Sequence, residues 1–109
     1  MTQQERKALR TQFDALADEW AQATRFQSSS TEIAMHPAYQ RIIGMGPDAL
    51  PLILDRLSRR PEHWFWALGA ISGEDPVPPA DAGKVEAMTN AWLRWGHTQG
   101  LIPIRAATA

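Results

Sequence analysis

Glycines and prolines divide this sequence into short segments, and that division limits the possible fold more than any other feature. They separate runs of apolar residues at Pro37, Gly44, Pro47, Pro61 and Gly73. Within the runs, apolar residues recur every three or four positions, which places them on one face of an α-helix. Because proline favours the first turn of a helix and glycine its end, the pattern predicts short helices in an all-α domain.

The first predicted helix covers about residues 3–25. Its apolar positions form one narrow stripe: Leu9, Phe13, Leu16 and Trp20. Because an isolated amphipathic helix gains little stability, this helix is expected to pack back on the rest of the domain. The serine-rich segment FQSSSTEIAM follows. Its hydroxyl groups compete for backbone hydrogen bonds, so the segment is predicted to be an extended connector.

Residues 36–100 are predicted to hold the central helices. These helices are expected to begin at Pro37, Pro47, Pro61 and about Asp81. Gly73 ends the third of them, and the last one ends near Gln99. Residues 101–109 form a tail without helical spacing, in which Leu101 and Ile102 are the candidates for docking on the domain.

The composition fits one small cytoplasmic domain. A chain of 109 residues can bury a single core. With 11 basic and 12 acidic residues the net charge is −1, without the positive excess typical of nucleic-acid-binding domains. The absence of cysteine excludes disulfides and zinc–thiolate sites. The N-terminal segment does not match a signal peptide and no apolar run is long enough to span a membrane, so a soluble cytoplasmic protein is predicted.

The stretches YQRIIGMGPDALPLILDRL and HWFWALGAISGEDP together resemble a HEAT-like helical repeat, and AWLRWG is similar to the capping helix of such repeats. More narrowly, HPAYQRIIGMG, HWFWAL, GEDPVP and AWLRWG resemble a family of small bacterial all-helical proteins without an assigned activity. The resemblance covers residues 36–100, whereas a solenoid needs about three repeats. It implies a helical hairpin covered by the N-terminal helix, a partner-binding role and no catalytic residue.

No histidine is predicted to be catalytic or to bind a metal. Metal sites need several converging ligands, and none of His36, His63 and His97 has a second ligand type at a metal-like spacing. His36 precedes Pro37 and is better suited to cap a helix. No cofactor is predicted either, since the glycines of GMG are not followed by the lysine and hydroxyl residue of a phosphate-binding loop.

Serines and acids give no stronger indication of an enzyme. Ser28, Ser29 and Ser30 lack the Gly-x-Ser-x-Gly setting of an activated serine. Glu74 and Asp75 are interpreted as carboxylates that solvate a turn or pair with an arginine. A small hydrolase is therefore the least favoured function.

A basic cluster lies next to an aromatic run. Arg56, Arg59 and Arg60 precede His63 and Trp66. Arginine with tryptophan is typical of protein-binding hot spots, and also of nucleic-acid surfaces where arginine contacts phosphate and tryptophan stacks on bases. The net charge favours the protein-binding interpretation.

The aromatic run HWFWAL cannot lie on one helical face, because successive residues turn by about 100°. Trp64 is predicted to enter the core with Leu68 and Ile71. Trp66 points to the opposite side, beside Gly69 and Ala70. The favoured interpretation packs Trp66 against another element such as the N-terminal helix; the alternative leaves it in an exposed patch for a partner.

The sequence therefore predicts a compact all-α domain of four to five helices built around a HEAT-like hairpin. Its predicted function is non-enzymatic binding of another protein or of a second copy, as an adaptor, a small subunit or an antitoxin- or immunity-like partner. The candidate partner-binding residues are Arg59, Arg60, His63 and Trp66. Nucleic-acid binding through the arginine and tryptophan surface is the alternative.

Overall fold

The computed structural model describes residues 2–102, and all regular structure in this range is helical. The α-helices are α1 (Gln3–Thr24), α2 (Ser30–Ala34), α3 (Pro37–Gly44), α4 (Leu50–Arg59), α5 (Phe65–Ser72) and α6 (Val85–Thr98). Short 3-10 turns lie at Gly46–Ala49 and Pro79–Asp81. The predicted all-α class is confirmed, but the described residues form six α-helices rather than the four to five expected. The Cα radius of gyration of 13.5 Å is close to the value of about 13 Å expected for a compact domain of this size.

Helix α1 packs back on the domain as predicted, with α3 as its main neighbour. It begins with a capping box, in which the Thr2 side chain accepts from the Glu5 backbone N–H and the Glu5 carboxylate accepts from the Thr2 N–H. Phe13 and Trp20 of the predicted stripe are buried. The Trp20 indole N–H also donates to the Ile33 carbonyl at 2.8 Å, which connects α1 to α2.

The prediction of an extended connector after α1 is wrong over part of its length. Residues Ser30–Ala34 form α2, because the Ser29 hydroxyl caps it by accepting a hydrogen bond from the Glu32 N–H at 3.3 Å. Serines that end one helix can equally begin the next one, since the same hydroxyl that competes with a helix interior stabilises a helix start.

Three predicted helix starts are also too early. Helix α4 begins at Leu50 rather than Pro47, because Gly46–Ala49 form a 3-10 turn before it. Helix α5 begins at Phe65 rather than Pro61, because Glu62 and Trp64 form tight turns through their backbone N–H groups before the helix. Helix α6 begins at Val85 rather than near Asp81, because Gly83 has a φ of +87°. That left-handed conformation interrupts a right-handed helix. Gly73, with a φ of +72°, ends α5 as predicted.

An aromatic cluster forms the centre of the core. Trp64 is fully buried, with its ring 4.4 Å from that of Trp20 and stacked on Tyr39 at 5.4 Å between centroids. Phe13 completes the cluster at 5.8 Å from Trp64. The predicted core position of Trp64 is confirmed, and through this one side chain α1 and α3 are joined to the start of α5.

The chain after α6 returns to the core. Ile102 is buried, and its side chain lies over Gly96 beside Leu54 of α4. Leu101 is partly buried, so both predicted docking residues contact the domain. The remaining tail, residues 103–109, lies outside the described residues. Within residues 2–102, none of the helices combines the length and apolar character that a membrane span requires.

Candidate partner-binding site

The structure divides the predicted partner-binding residues between separate surfaces. Arg59, Arg60, His63 and Trp66 are all exposed. Arg59 donates to the Asp55 carboxylate at 2.9 Å, one helical turn away on α4. Arg60 lines a groove with Asp18 of α1 and with Arg25, which follows that helix. Trp66 instead lines two grooves on the α6 side of α5, and His63 lines the second of them with it.

Arg56 does not belong to the exposed basic cluster in which the sequence placed it. Its side chain is only 5% exposed and donates to Glu62 at 2.7 and 3.1 Å and to Asp18 at 2.8 Å. Burial alone would lower the pKa of Arg56, but the hydrogen bonds and charges of these two carboxylates outweigh it and raise that pKa. Glu62 also accepts from the Trp64 indole N–H at 3.0 Å. Arg56 therefore holds the segment before α5 in place.

The favoured interpretation of Trp66 is wrong, since this side chain is 48% exposed. Helix α1 lies over α3 and meets the α5 region through Trp64, whose ring contacts Phe13 and Trp20. The opposite side of α5 is left to α6, which is separated from it by the proline-rich loop 73–84. Helix α6 covers this apolar side of α5 only in part, so the Trp66 side chain stays partly exposed.

Two grooves meet at Trp66. The first groove has a volume of about 820 Å³ and lies between α5, α6 and the loop after α5. Its apolar lining includes Phe65, Trp66, Gly69, Ala70, Val77, Met88 and Trp92. The second groove, of about 280 Å³, shares three of these residues: Phe65, Trp66 and Met88. Val85, 39% exposed, extends the apolar surface along the second groove.

The floor of the first groove is low because α5 carries small residues there. A Cβ atom added at Gly69 would meet only the Glu74 carbonyl oxygen, at 3.8 Å, which is an ordinary contact. Packing therefore does not require glycine at this position. Gly69 and the neighbouring Ala70 line the groove together with Trp66 and add little side-chain bulk beside it.

Tyr39 positions the helix that carries Trp66. Its hydroxyl donates to the His63 carbonyl at 3.1 Å and accepts from the Ala67 N–H at 2.9 Å. Ala67 lies in the first turn of α5, where backbone N–H groups have no partner within the helix. Burial raises the pKa of Tyr39, although the hydrogen bond from Ala67 opposes this effect. The sequence placed Tyr39 only among the apolar positions of α3; a buried phenol that needs a polar partner was the available signal.

The rim of the first groove is acidic and structurally fixed. Glu74 and Asp75 are exposed and line the groove. The Ser72 hydroxyl accepts from the Glu74 N–H at 3.0 Å, and the Asp75 carboxylate accepts from the Val77 N–H at 3.3 Å. Asp75 thus stabilises the turn after α5, which agrees with the interpretation of Glu74 and Asp75 as residues of a turn.

The remaining candidates take structural positions. The His36 imidazole accepts from the Ala38 N–H at 3.1 Å and caps α3, as predicted. Ser29 caps α2. Among residues 2–102, no group of three or more histidine, aspartate or glutamate side chains converges in a way that could hold a metal ion.

No family model, curated protein or solved structure matches the chain. The resemblance to a HEAT-like repeat therefore stays a prediction made from its motifs.

Proposed function

We propose that this protein is a non-enzymatic protein-binding module whose partner docks on Trp66 and the two grooves beside it. The observation that carries the proposal is the position of Trp66: an indole nearly half-exposed where two apolar grooves meet. Tryptophan is enriched in binding hot spots, where it fills or borders pockets that lose water on binding. Contiguous exposed apolar surface, such as Trp66 forms with the lining of the two grooves, marks interaction sites.

The shape of the site also suits a protein partner. The first groove combines a large aromatic side chain with the low floor at Gly69 and Ala70, so a partner's side chain can approach the indole face. The site is built on a helix whose start is fixed by Tyr39 and Trp64. Such a rigid surface loses little conformational entropy on binding, which favours affinity.

Protein binding is better supported than nucleic-acid binding. Arg59 is already paired with Asp55, and Arg56 is buried against Glu62 and Asp18. The carboxylates of Glu74 and Asp75, which line the first groove with Trp66, would repel phosphate, and the net charge of −1 supplies no general attraction. The HEAT-like motifs, which imply a partner-binding role, support the same choice. An adaptor, a small subunit or an antitoxin- or immunity-like partner remains the kind of protein we propose.

Pull-downs from the native cell test the proposal. The bait is the full chain as wild type, Trp66→Ala and Phe26→Ala; Phe26 is 91% exposed at the end of α1 and serves as the matched aromatic control. We expect mass spectrometry to find a protein that the wild type and Phe26→Ala retain and Trp66→Ala loses. All three chains should show closely similar thermal unfolding, because neither replaced side chain is buried.

Retention of the same proteins by Trp66→Ala would contradict the proposal. So would the loss of a partner in both variants, because the effect would then not be specific to the grooves. If Trp66→Ala unfolded, Ala70→Leu would replace it, since this change narrows the first groove from an exposed position and keeps the indole.

A further inference from the structure

The first groove has an uneven distribution of charge. Among the described residues that line it, Glu74 and Asp75 are the charged ones, and both are acidic. The rest of the lining is apolar or aromatic apart from backbone atoms. The groove therefore presents an apolar floor with two negative charges at one edge, although the whole chain is close to neutral.

The two carboxylates are available to a partner. The ion pairs found within residues 2–102 use other acids, namely Asp18, Asp55 and Glu62. One oxygen of Asp75 accepts a backbone N–H, and a carboxylate has further acceptor positions. Glu74 and Asp75 are both exposed, so a cationic group can reach them without a rearrangement of the loop.

The acidic edge is held by the backbone around it. Gly73 turns the chain out of α5, Pro76 and Pro78 restrict the loop, and Val77 packs against the core. The backbone positions of both acids relative to α5 are thus set by the fold. A ligand that satisfies both features needs a fixed spacing between an apolar group and a positive charge.

We infer that the groove accepts a peptide segment of a partner protein in which a bulky apolar side chain lies next to lysine or arginine. The apolar side chain contacts Trp66 above Gly69 and Ala70, and the cationic group pairs with Glu74 and Asp75. This inference rests on the proposed function and names the chemistry of the partner's segment.

The same charges disfavour two other ligands for this groove, a second copy of the chain and a nucleic acid. A second copy bound through this surface in a symmetric dimer would place the acidic edges of both copies in one interface, where like charges repel. Nucleic acid would bring phosphates to the same carboxylates. A basic peptide gains attraction from these groups, which also increases the rate of association at low salt.

Selection from a phage-displayed library of random linear peptides tests the inference. The targets are the full-length wild type, Trp66→Ala, and a double variant with Glu74→Gln and Asp75→Asn, which removes both charges and keeps both side-chain sizes. We expect the wild type to enrich peptides that combine a large apolar residue with lysine or arginine. The double variant should retain the apolar preference and lose the basic one, and Trp66→Ala should enrich neither.

The peptide that binds the wild type most tightly is then used to measure how much affinity the two charges contribute. We expect the double variant to bind it about fivefold more weakly at low ionic strength, with a smaller difference at high salt, because exposed ion pairs are modest and screened. An affinity that is equal in both proteins at low salt overturns the inference.

Other outcomes separate this inference from the proposed function. Trp66-dependent peptides without a basic preference overturn the inference and leave protein binding in place. Peptides that bind Trp66→Ala as well as wild type contradict both. A library without any enriched peptide overturns the inference, as does a wild type that sediments as a dimer while Trp66→Ala sediments as a monomer.

Discussion

Tyr39 shows how a single hydroxyl group controls the position of the site. It is the one tyrosine of the chain and bonds to both His63 and Ala67 at the start of α5. Its pKa is raised above the ordinary value of 10 by burial. In the unfolded chain the phenol ionises near that ordinary value, whereas the folded chain keeps it neutral. Its contribution to stability is therefore complete below pH 10 and is lost as the pH rises beyond it.

Alkaline titration tests this contribution. Because there is one tyrosine, the ultraviolet absorbance of tyrosinate reports on Tyr39 alone. We expect the tyrosinate signal to appear together with loss of helical circular dichroism above pH 10. Ionisation at the ordinary pKa with the helical signal intact would contradict the buried, bonded phenol. Tyr39→Phe should lower the free energy of unfolding at neutral pH by about 1–3 kcal/mol, because the Ala67 N–H loses its partner.

Arg56 provides a second prediction at the residue scale. Arg56→Met keeps much of the side-chain volume but leaves the largely buried Glu62 carboxylate without its cation. We expect the free energy of unfolding in urea to fall by about 3 kcal/mol. Asp18→Asn is the control: Asp18 is largely exposed, and its loss should cost about 0.5 kcal/mol. Similar losses in the two variants would show that the pair of Arg56 with Glu62 adds little to stability.

At the scale of elements, the close approach of α6 to α4 depends on Gly96. A Cβ atom there would lie 2.7–2.9 Å from side-chain atoms of Ile102 and Leu54. These distances are too short, so the two side chains would have to move. Since the atoms it meets belong to side chains, Gly96→Ala should displace them rather than break the helix. We expect a loss of about 1–2 kcal/mol in the free energy of unfolding.

A double-mutant cycle checks which side chain moves. If Gly96→Ala undocks Ile102, then Ile102→Ala should cost less in the Gly96→Ala background than in wild type. Gly44→Ala is the control for replacing a helical glycine, because a Cβ atom there meets nothing within 4 Å. Additive losses at Gly96 and Ile102 would contradict the expected undocking.

The elements also show what local sequence can and cannot predict. The apolar stripe with Phe13 and Trp20 was sufficient to predict α1 and its packing, because helical spacing records the buried face directly. The start of α5 was not predictable from Pro61, because proline fits the first turn of a helix and a turn before it equally well. The tertiary bonds of Glu62 distinguish the two cases. The start of α6, predicted near Asp81, is instead set by the left-handed backbone of Gly83.

The candidate site was partly predictable, because helical spacing also separates the two sides of α5. The spacing placed Trp66 opposite Trp64, and the structure confirms that division of α5 into two sides. Whether another helix covers the second side depends on where α1 and α6 pack, which the sequence of α5 does not contain. The arginines were grouped with Trp66 because they are close in sequence. In the fold, Arg60 faces α1 and Arg56 enters the interior.

At the scale of the whole molecule, the core and the proposed docking surface lie on opposite sides of α5. The aromatic cluster around Trp64 joins α1 and α3 to this helix, and α6 covers the other side incompletely. On the proposed function, stability depends on Trp64 and binding on Trp66. Trp64→Ala should lower the free energy of unfolding by about 3–5 kcal/mol as a cavity forms, whereas Trp66→Ala should affect binding with little loss of stability.

Photo-crosslinking in the native cell tests the central claim, that a protein docks at Trp66, most directly. A photoreactive amino acid is placed at Ala70, exposed in the first groove, or at Gln12, exposed on α1 as the control. We predict a discrete adduct with another protein from position 70 that is absent from position 12 and disappears when Trp66→Ala is added. Identical adducts from both positions, or an adduct from position 70 that survives Trp66→Ala, would contradict the account.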